Sequence, residues 1–261
     1  MRIIYGKTNW ECKELSLDAF MERVVADGFD VAELYVPGLV LDGVTPAQVA
    51  KLVADRGLLF IADIATEGDT PADHLDSFNR YADFALEAGA ILINAHTSRD
   101  FFPFEETLRI FERGLEIAKS SGIPVAHETH RSRALYNAID TRRYLEALPN
   151  LRINADFSHW FNVHESDLSD QPDTIDLAIS RAIHIHARVG HEEGPQVNDP
   201  RAPEWSGHLQ KHIDLWKRIV AARQADGTEV LTITPEFGPL ADCWEVNVFM
   251  RDTIRDALKT S

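Results

Sequence analysis

The sequence predicts an α/β protein folded as a single (β/α)8 TIM barrel that spans residues 1–261. Strand-like apolar runs alternate with longer segments of helical periodicity along the whole chain, which favours repeated βα units over separate all-α and all-β parts. Eight such pairs fit within 261 residues, the size of one barrel. The chain also shows no composition break or low-complexity linker that would divide it.

The eight predicted strands lie at 2–5, 30–36, 58–63, 90–96, 123–128, 151–156, 182–188 and 229–236. Alternation is clear in the last strand, where Leu231 and Ile233 interleave with Thr232, Thr234 and Glu236. Successive side chains of a strand point to opposite faces, so we expect the apolar pair to face the helices and the polar set to face the barrel interior.

The predicted helices lie between the strands and after the last one, at 16–27, 46–56, 71–88, 104–121, 140–147, 171–181, 207–226 and 243–258. Phe104, Leu108 and Phe111 recur at helical spacing in the fourth of them. Ser16 and Thr45 are suitable N-cap residues, and Pro46 suits the first helical position.

Composition and charge exclude several classes of protein. The formal net charge is −16 and no basic run is evident, which disfavours binding to nucleic acid through phosphates. Cys12 and Cys243 form neither a CxxC motif nor a disulfide framework. The first residues contain too short an apolar stretch for a secretory signal, and no apolar run is long enough to span a membrane. We therefore expect a cytoplasmic protein without membrane contact.

Four side chains typical of metal ligands stand at or near the ends of late strands. They are Glu128, Asp156, His186 and Glu236, separated by 28, 30 and 50 residues. Carboxyl ends of barrel strands meet at one face, so these groups could converge on a divalent cation. Alternation supports an inward direction less clearly for Glu128, because the residues on the same face of its predicted strand are Pro124 and Ala126.

The residues around these four positions resemble the xylose-isomerase-like TIM-barrel superfamily, which includes sugar phosphate isomerase/epimerase-type proteins. The matching motifs are HETHR at 127–131, DFSHW at 156–160, HIHAR at 184–188 and TPEFGP at 234–239. The resemblance implies that the four residues hold Mn²⁺ or a similar ion, with Mg²⁺, Co²⁺ and Zn²⁺ also suited to such ligands. His184 shares a face with His186 and is the alternative imidazole ligand.

The resemblance also implies a reaction. Glu128 and Glu236 would transfer protons beside a metal that stabilises an enediolate, as in a sugar isomerase or epimerase acting on a polyhydroxy carbonyl substrate. The residues expected to contact substrate are His159, Arg188, Trp160, His130 and His96, with Arg131 near the same mouth. Glu33, Asp63 and Trp10 are weaker candidates for the cavity wall, and the Gly- and Pro-rich loop at 189–205 could act as a lid.

Three alternatives stay open. A related dehydratase or lyase would use the same metal and carboxylates to expel a leaving group from the substrate. An endonuclease-IV-like phosphodiesterase shares part of the pattern, although the acidic charge disfavours it. A non-enzymatic sugar-binding protein is the third possibility. We expect a small-molecule sugar or sugar-derived partner, and members of the superfamily often form homo-oligomers.

Overall fold

Eight parallel strands form a closed barrel in chain order, which confirms the predicted (β/α)8 fold. The computed structural model describes residues 1–240 and 242–259. The strands are β1 (Arg2–Thr8), β2 (Val31–Tyr35), β3 (Leu59–Ala65), β4 (Leu92–His96), β5 (Val125–Glu128), β6 (Ile153–Ala155), β7 (Ala182–Ala187) and β8 (Val230–Pro235). Pairing of β1 with β8, with Ile3 opposite Leu231, closes the barrel. All eight predicted strands are therefore present.

Helices surround this barrel. They are α1 (Leu17–Ala26), α2 (Val36–Leu41), α3 (Pro46–Asp55), α4 (Pro71–Glu87), α5 (Phe104–Ser121), α6 (Ala138–Ala147), α7 (Ser158–His164), α8 (Pro172–Arg181), α9 (Ser206–Ala225) and α10 (Cys243–Lys259). The short helices α2 and α7 were not predicted, because six or seven residues are too few to show a helical period. Within the described ranges, no helix is both long and apolar enough to cross a membrane.

The predicted helix starts are confirmed at α1 and α3. Ser16 Oγ accepts a hydrogen bond from the backbone N–H of Ala19 at 3.2 Å. Thr45 and Gln48 form a reciprocal capping box, and Pro46 occupies the first turn of α3. These caps satisfy backbone N–H groups that have no partner within the helix.

Two apolar layers pack against the barrel strands, one outside and one inside, and show which way the strand side chains point. The large outer layer lies between the strands and the helices. A small inner cluster lies inside the barrel and consists of Ile4, Val31, Ile61, Leu92 and Ala126. Because Ala126 points inward, Glu128, two residues further along β5, points inward as well. The inner cluster therefore forms the apolar floor beneath the polar mouth of the barrel.

The loop at 189–205 packs on its neighbours. Val197 is fully buried and donates its backbone N–H to Val189 O at 2.9 Å. A Cβ atom at Gly190 would lie 2.6 Å from Ser158 O, so glycine permits this loop to approach α7 closely. Gln196 Oε1 accepts a hydrogen bond from the backbone N–H of Gly238 at 3.0 Å, which ties the loop to the segment after β8.

Candidate metal and active site

The four predicted metal ligands converge at the carboxyl end of the barrel. Glu128 ends β5, Asp156 follows β6, His186 lies in β7 and Glu236 follows β8. All four are buried, and one ligand atom from each lies within 4.8 Å of the others. Four strand ends thus bring together residues that are up to 108 positions apart in the sequence.

Local hydrogen bonds fix Asp156. Its backbone N–H donates to Thr129 Oγ1 at 2.9 Å, and the Thr129 hydroxyl donates to the carbonyl oxygen of Asp156 at 2.9 Å. The backbone N–H of Ser158, at the start of α7, donates to Asp156 Oδ1 at 3.1 Å. One carboxylate oxygen is thereby held by α7, while Oδ2 remains directed toward the other three residues.

His186 faces the other three candidates, whereas His184 does not. His186 Nδ1 lies 2.8 Å from Glu236 Oε2 and 3.2 Å from Glu128 Oε2. Its Nε2 lies 2.8 Å from Glu33 Oε1. His184 instead places Nε2 3.3 Å from Glu33 Oε2 and directs Nδ1 toward Thr232. The geometry therefore favours His186 as the imidazole of this centre.

The three carboxylates would repel one another without cations nearby. Arg188 supplies one, with Nη2 2.6 Å from Glu236 Oε2 and Nε 3.3 Å from Asp156 Oδ2. Burial would raise the pKa of Glu236, but Arg188 and His186 outweigh it and hold the pKa well below its usual range. Burial raises the pKa of Asp156 to about 7, opposed by Arg188 and reinforced by Glu236 and Glu128. Asp156 is thus the least well neutralised of the three carboxylates.

The donor atoms of this centre fit a divalent cation. Each of the four residues has one buried polar atom that makes no hydrogen bond of good geometry with the described residues, although three of these atoms lie at ion-pair distance from Arg188 or from one another. These atoms are Glu128 Oε1, Asp156 Oδ2, His186 Nδ1 and Glu236 Oε2. Buried polar atoms are rarely left unpaired in folded proteins. Three carboxylate oxygens and one imidazole nitrogen are a suitable ligand set for Mn²⁺, Mg²⁺, Co²⁺ or Zn²⁺.

Three of the predicted substrate residues form one wall beside this centre. His96 Nε2 lies 3.0 Å from Asp63 Oδ1 and 3.2 Å from Glu128 Oε2. Burial would lower the pKa of His96, but these two carboxylates raise it to about 9. The ring of His130 packs against His96 with centroids 5.0 Å apart and against His159 at 4.0 Å.

Burial keeps two of these rings neutral. It lowers the pKa of His130 to about 3, and it lowers the pKa of His159 well below its usual value. His159 Nε2 lies 3.5 Å from Asp156 Oδ2, so this imidazole adjoins the proposed metal centre.

Trp160 is placed differently from the sequence expectation. Its side chain is fully buried in the core, and its Nε1–H donates to Leu135 O at 3.0 Å. An indole with no exposed face and no free N–H cannot contact a substrate, so we leave it out of the site. Trp10, a weaker sequence candidate, lines the cavity instead and donates its Nε1–H to Glu236 Oε1 at 2.7 Å.

Two asparagines inside the barrel were not singled out as site residues from the sequence. Asn94 Nδ2 donates to Glu128 Oε2 at 3.0 Å, and Asn154 Nδ2 approaches the same oxygen at 3.2 Å. Asn154 Oδ1 also accepts the backbone N–H of His186 at 2.9 Å. Each asparagine stands two positions before a candidate residue, His96 or Asp156. Side chains two positions apart in a strand point to the same face, and this spacing could have identified both asparagines.

The site opens into a cavity of about 960 Å³. Its polar wall includes Trp10, His96, His130, Arg188 and Glu236. Apolar side chains from α1, α2 and the segments around them form the opposite wall. Of the described residues that line the cavity, none comes from the loop at 189–205, so its function as a lid stays a prediction.

Comparison with known proteins supports the resemblance seen in the sequence. The profile of the xylose isomerase-like TIM barrel family matches residues 21–208, which is well over half of the chain. The chain therefore belongs to that family. The matched range contains Glu128, Asp156 and His186, while Glu236 lies beyond it. No curated protein matches the sequence.

Several solved structures share the fold over nearly the whole chain. A probable 3-DHS dehydratase involved in petrobactin synthesis from Bacillus anthracis has a TM-score of 0.66 at 15% identity, covering 97% of this chain and 98% of its own. The 3-keto-D-glucoside 4-epimerase of E. coli has a TM-score of 0.61 at 16% identity, with 98% and 100% covered. Endonuclease IV from Thermus thermophilus has a TM-score of 0.61 at 11% identity, with 99% and 100% covered. These likenesses concern the fold, and all three relatives are enzymes.

Proposed function

We propose that the protein is a divalent-metal-dependent isomerase or epimerase that moves a proton on a polyhydroxy carbonyl substrate through an enediolate. One observation carries the proposal. Four buried ligand atoms from four strand ends, three carboxylate oxygens and one imidazole nitrogen, lie within 4.8 Å of one another beside a large cavity. Epimerase activity in a solved relative of this fold agrees with it.

Glu128, Asp156, His186 and Glu236 would hold the cation, for which Mn²⁺ is the best candidate. Bound there, the cation would supply a Lewis acid that polarises the substrate carbonyl and stabilises the enediolate. Glu128 and Glu236 would remove and return the proton, because they approach the centre from β5 and from the end of β8, with two strands between them, and Glu236 lines the cavity. Trp10 would orient Glu236 through its indole N–H.

Neighbouring side chains would bind the rest of the substrate. In neutral His159, Nδ1 accepts from Arg131, which leaves Nε2–H to donate to a hydroxyl group. In neutral His130, Nδ1–H donates to Arg131 O, which leaves Nε2 to accept from one. His96 lies beside Glu128 and lines the cavity, so its N–H can donate to a substrate oxygen. Arg188 would hold Asp156 and Glu236 in their ionised forms and bind a substrate oxygen.

Elemental mass spectrometry of metal-repleted protein tests the metal site. We expect about one tightly bound divalent ion in the wild type and a loss of that ion in folded Asp156→Asn. Asp170→Asn is a matched control, because Asp170 binds Ser166 Oγ at 2.8 Å, away from the centre. About three zinc ions per chain would instead favour the endonuclease-IV-like reaction, and cleavage of an abasic duplex would check it.

Solvent-deuterium incorporation tests the reaction. Metal-repleted protein in D₂O should incorporate deuterium at the carbon next to the carbonyl group of at least one member of a panel of ketoses, aldoses and keto-acids. Glu128→Gln and Glu236→Gln should each slow incorporation by at least about 100-fold, since each removes a proton-transfer group. No incorporation across the panel would contradict the proposal. Ligand binding without turnover would favour the sugar-binding alternative.

A dehydratase is the second candidate, and two observations favour it. A solved relative of this fold is a probable dehydratase. In addition, the imidazole of His96 lies 3.2 Å from Glu128, so one group could take a proton while its neighbour protonates a leaving hydroxyl. Product mass separates the two reactions. A dehydratase product is lighter than its substrate by one water molecule, whereas an isomer has the same mass.

A further inference from the structure

Two arginines line the cavity without an acidic partner. Arg131 and Arg133 lie in the loop that follows β5, and both reach the cavity wall. Across residues 1–240 and 242–259, no carboxylate is within ion-pair distance of either guanidinium group, although the chain has a net charge of −16. Arg131 Nη1 donates only to His159 Nδ1 at 3.0 Å, and Arg133 Nη1 donates to Thr66 O at 2.8 Å.

The carboxylates of the same cavity are mostly engaged elsewhere. Asp63 lies 3.0 Å from His96 Nε2, and Glu236 contacts both Arg188 and Trp10. Asp42, the remaining lining carboxylate, lies at the end of α2. The positive charge of the two arginines near the reaction centre is therefore left for a ligand to neutralise.

The arginines lie close to the proposed metal centre. His159 connects Arg131 to that centre, with Nδ1 3.0 Å from Arg131 Nη1 and Nε2 3.5 Å from Asp156 Oδ2. Ser132, between the two arginines, has φ of 62°, in the left-handed region that few residues other than glycine adopt. Such backbone conformations are often retained at ligand-binding sites.

We propose that Arg131 and Arg133 bind an oxyanion group, a carboxylate or a phosphate, carried by the substrate. The planar N–H fork of a guanidinium group matches the oxygens of both anions. This inference rests on the proposed function for the carbonyl end of the substrate, and it adds that the other end is acidic. A neutral sugar would leave both guanidinium groups without a charged partner.

The electrostatics of the two arginines agree with this assignment. Partial burial lowers the pKa of Arg131, and the neighbouring Arg188 lowers it further. Burial likewise lowers the pKa of Arg133, with Arg99 adding to the effect. Carboxylates of the site, Glu128 among them, oppose the lowering at both arginines but do not cancel it, and an anionic ligand would add to their stabilising effect.

Calorimetric titration with three probes tests the inference. The probes are inorganic phosphate, D-gluconate and the neutral alditol sorbitol, at constant ionic strength, added to metal-loaded wild type. At least one anion should bind tenfold or more tightly than sorbitol, and Arg131→Gln should weaken that anion about tenfold or more. Arg131→Lys keeps the positive charge but not the planar N–H fork, so its affinity for that anion should lie between those of wild type and Arg131→Gln. Loss of phosphate binding alone identifies a phosphate site, and loss of gluconate binding alone identifies a carboxylate site.

Three controls sharpen the test. Arg109→Gln removes an equal charge from exposed α5, where Arg109 pairs with Glu106 at 2.9 Å, and should bind the probes like wild type. Arg133→Gln should weaken the same anion, provided circular dichroism shows the native fold. Titration of metal-free Asp156→Asn removes the cation as a competing site, and binding that depends on Arg131 should survive.

The inference is overturned if neither anion binds more tightly than sorbitol, or if both bind equally well to Arg131→Gln. Deuterium incorporation separates its failure from that of the proposed function. Incorporation into a neutral ketose in preference to its phosphate or acid analogue, unchanged in Arg131→Gln, overturns the inference and keeps the function. Anion binding that depends on Arg131, with no incorporation into any sugar, supports the inference and contradicts the function.

Discussion

Glu33 Oε1 lies 2.8 Å from His186 Nε2, and this contact sets the direction of the imidazole. With Nε2 facing Glu33, the opposite nitrogen Nδ1 faces Glu128 and Glu236. The second oxygen of Glu33 accepts a hydrogen bond from Thr234 Oγ1 at 2.6 Å. Glu33 is therefore a positioning residue that selects the ring nitrogen available to a metal.

We predict that Glu33→Ala weakens metal binding about 10- to 100-fold, which is the usual effect of removing the partner of a ligating histidine. Glu33→Gln keeps an acceptor oxygen and should lose less. Competition with a chelating dye measures the metal affinity, and circular dichroism checks the fold. Glu245→Gln, at an exposed residue paired with Arg23, is the control. Unchanged affinity in folded Glu33→Ala would contradict the positioning role.

Trp10 gives a second prediction, because its indole N–H is 2.7 Å from Glu236 Oε1. Trp10→Phe keeps an aromatic ring but removes the donor. A hydrogen bond to a charged group contributes about 1.5–3 kcal/mol, so kcat for proton exchange should fall roughly 10- to 100-fold. Metal content should stay near one ion per chain, because Glu236 keeps its own contacts with Arg188 and His186.

Trp205→Phe is the matched control for this variant. Trp205 also donates its indole N–H to a side chain, Asn198 Oδ1 at 2.6 Å, but it lies in the loop outside the cavity. Its variant should exchange protons at the wild-type rate. Equal kcat values for Trp10→Phe and wild type would show that the indole does not orient Glu236 during the reaction.

Much of the fold could be predicted from the sequence because it depends on local periodicity, and the four candidate ligands could be predicted because they stand at strand ends within motifs that resemble the family. Alternation in β8 distinguishes Glu236 from the helix-facing Ile233, and the equivalent pattern in β7 separates the inward His184 and His186 from the outward Ile185. Alternation left the direction of the Glu128 side chain uncertain, since Ala126, on the same face of β5, is compatible with either face of the barrel wall. The inner apolar cluster resolves this, because it contains Ala126.

The remaining features depend on contacts between distant strands, which no local pattern contains. Parity alone could not separate His184 from His186, because both point inward and both contact Glu33. The second ring nitrogen distinguishes them, since it faces Thr232 in His184 and Glu128 and Glu236 in His186. Trp160 follows a site residue in sequence, yet it turns into the core because α7 begins at Ser158. A helix directs neighbouring side chains to different faces, so adjacency to His159 does not predict a shared surface.

A third prediction concerns metal removal. A ligand that binds only the folded state at 100 times its Kd stabilises the protein by about 2.7 kcal/mol. For a chain of this size that corresponds to a rise in Tm of roughly 5–10 °C. Adding a chelator to metal-loaded wild type should therefore lower Tm by that amount, as measured by scanning calorimetry. Asp156→Asn should show little change on chelation, and a comparable fall in that variant would indicate a different metal site.

The last prediction concerns acid stability and His212. Burial lowers the pKa of His212 to about 3, and its Nε2 accepts the backbone N–H of Gly190 at 3.0 Å. In the unfolded chain the same imidazole titrates near 6.5, so the unfolded state binds the proton first as pH falls. The stability that depends on this residue is thus fully present above about pH 6.5 and is lost as the pH falls from there toward about 3.

The effect of His212 must be measured as a difference between variants, because His96 titrates with the opposite sign. The pKa of His96 is raised to about 9, so its contribution is present below pH 6.5 and is lost as the pH rises through about 9. Urea denaturation at pH 7.5 and 5.5 should show that His212→Gln loses about 1.4 kcal/mol less than wild type over this interval. Phe161→Leu, which alters the ring stacked on His212 at 4.3 Å, should lose packing energy equally at both pH values. If His212→Gln had the wild-type pH dependence, His212 would not be held neutral by burial, since burial is the largest cause of its lowered pKa.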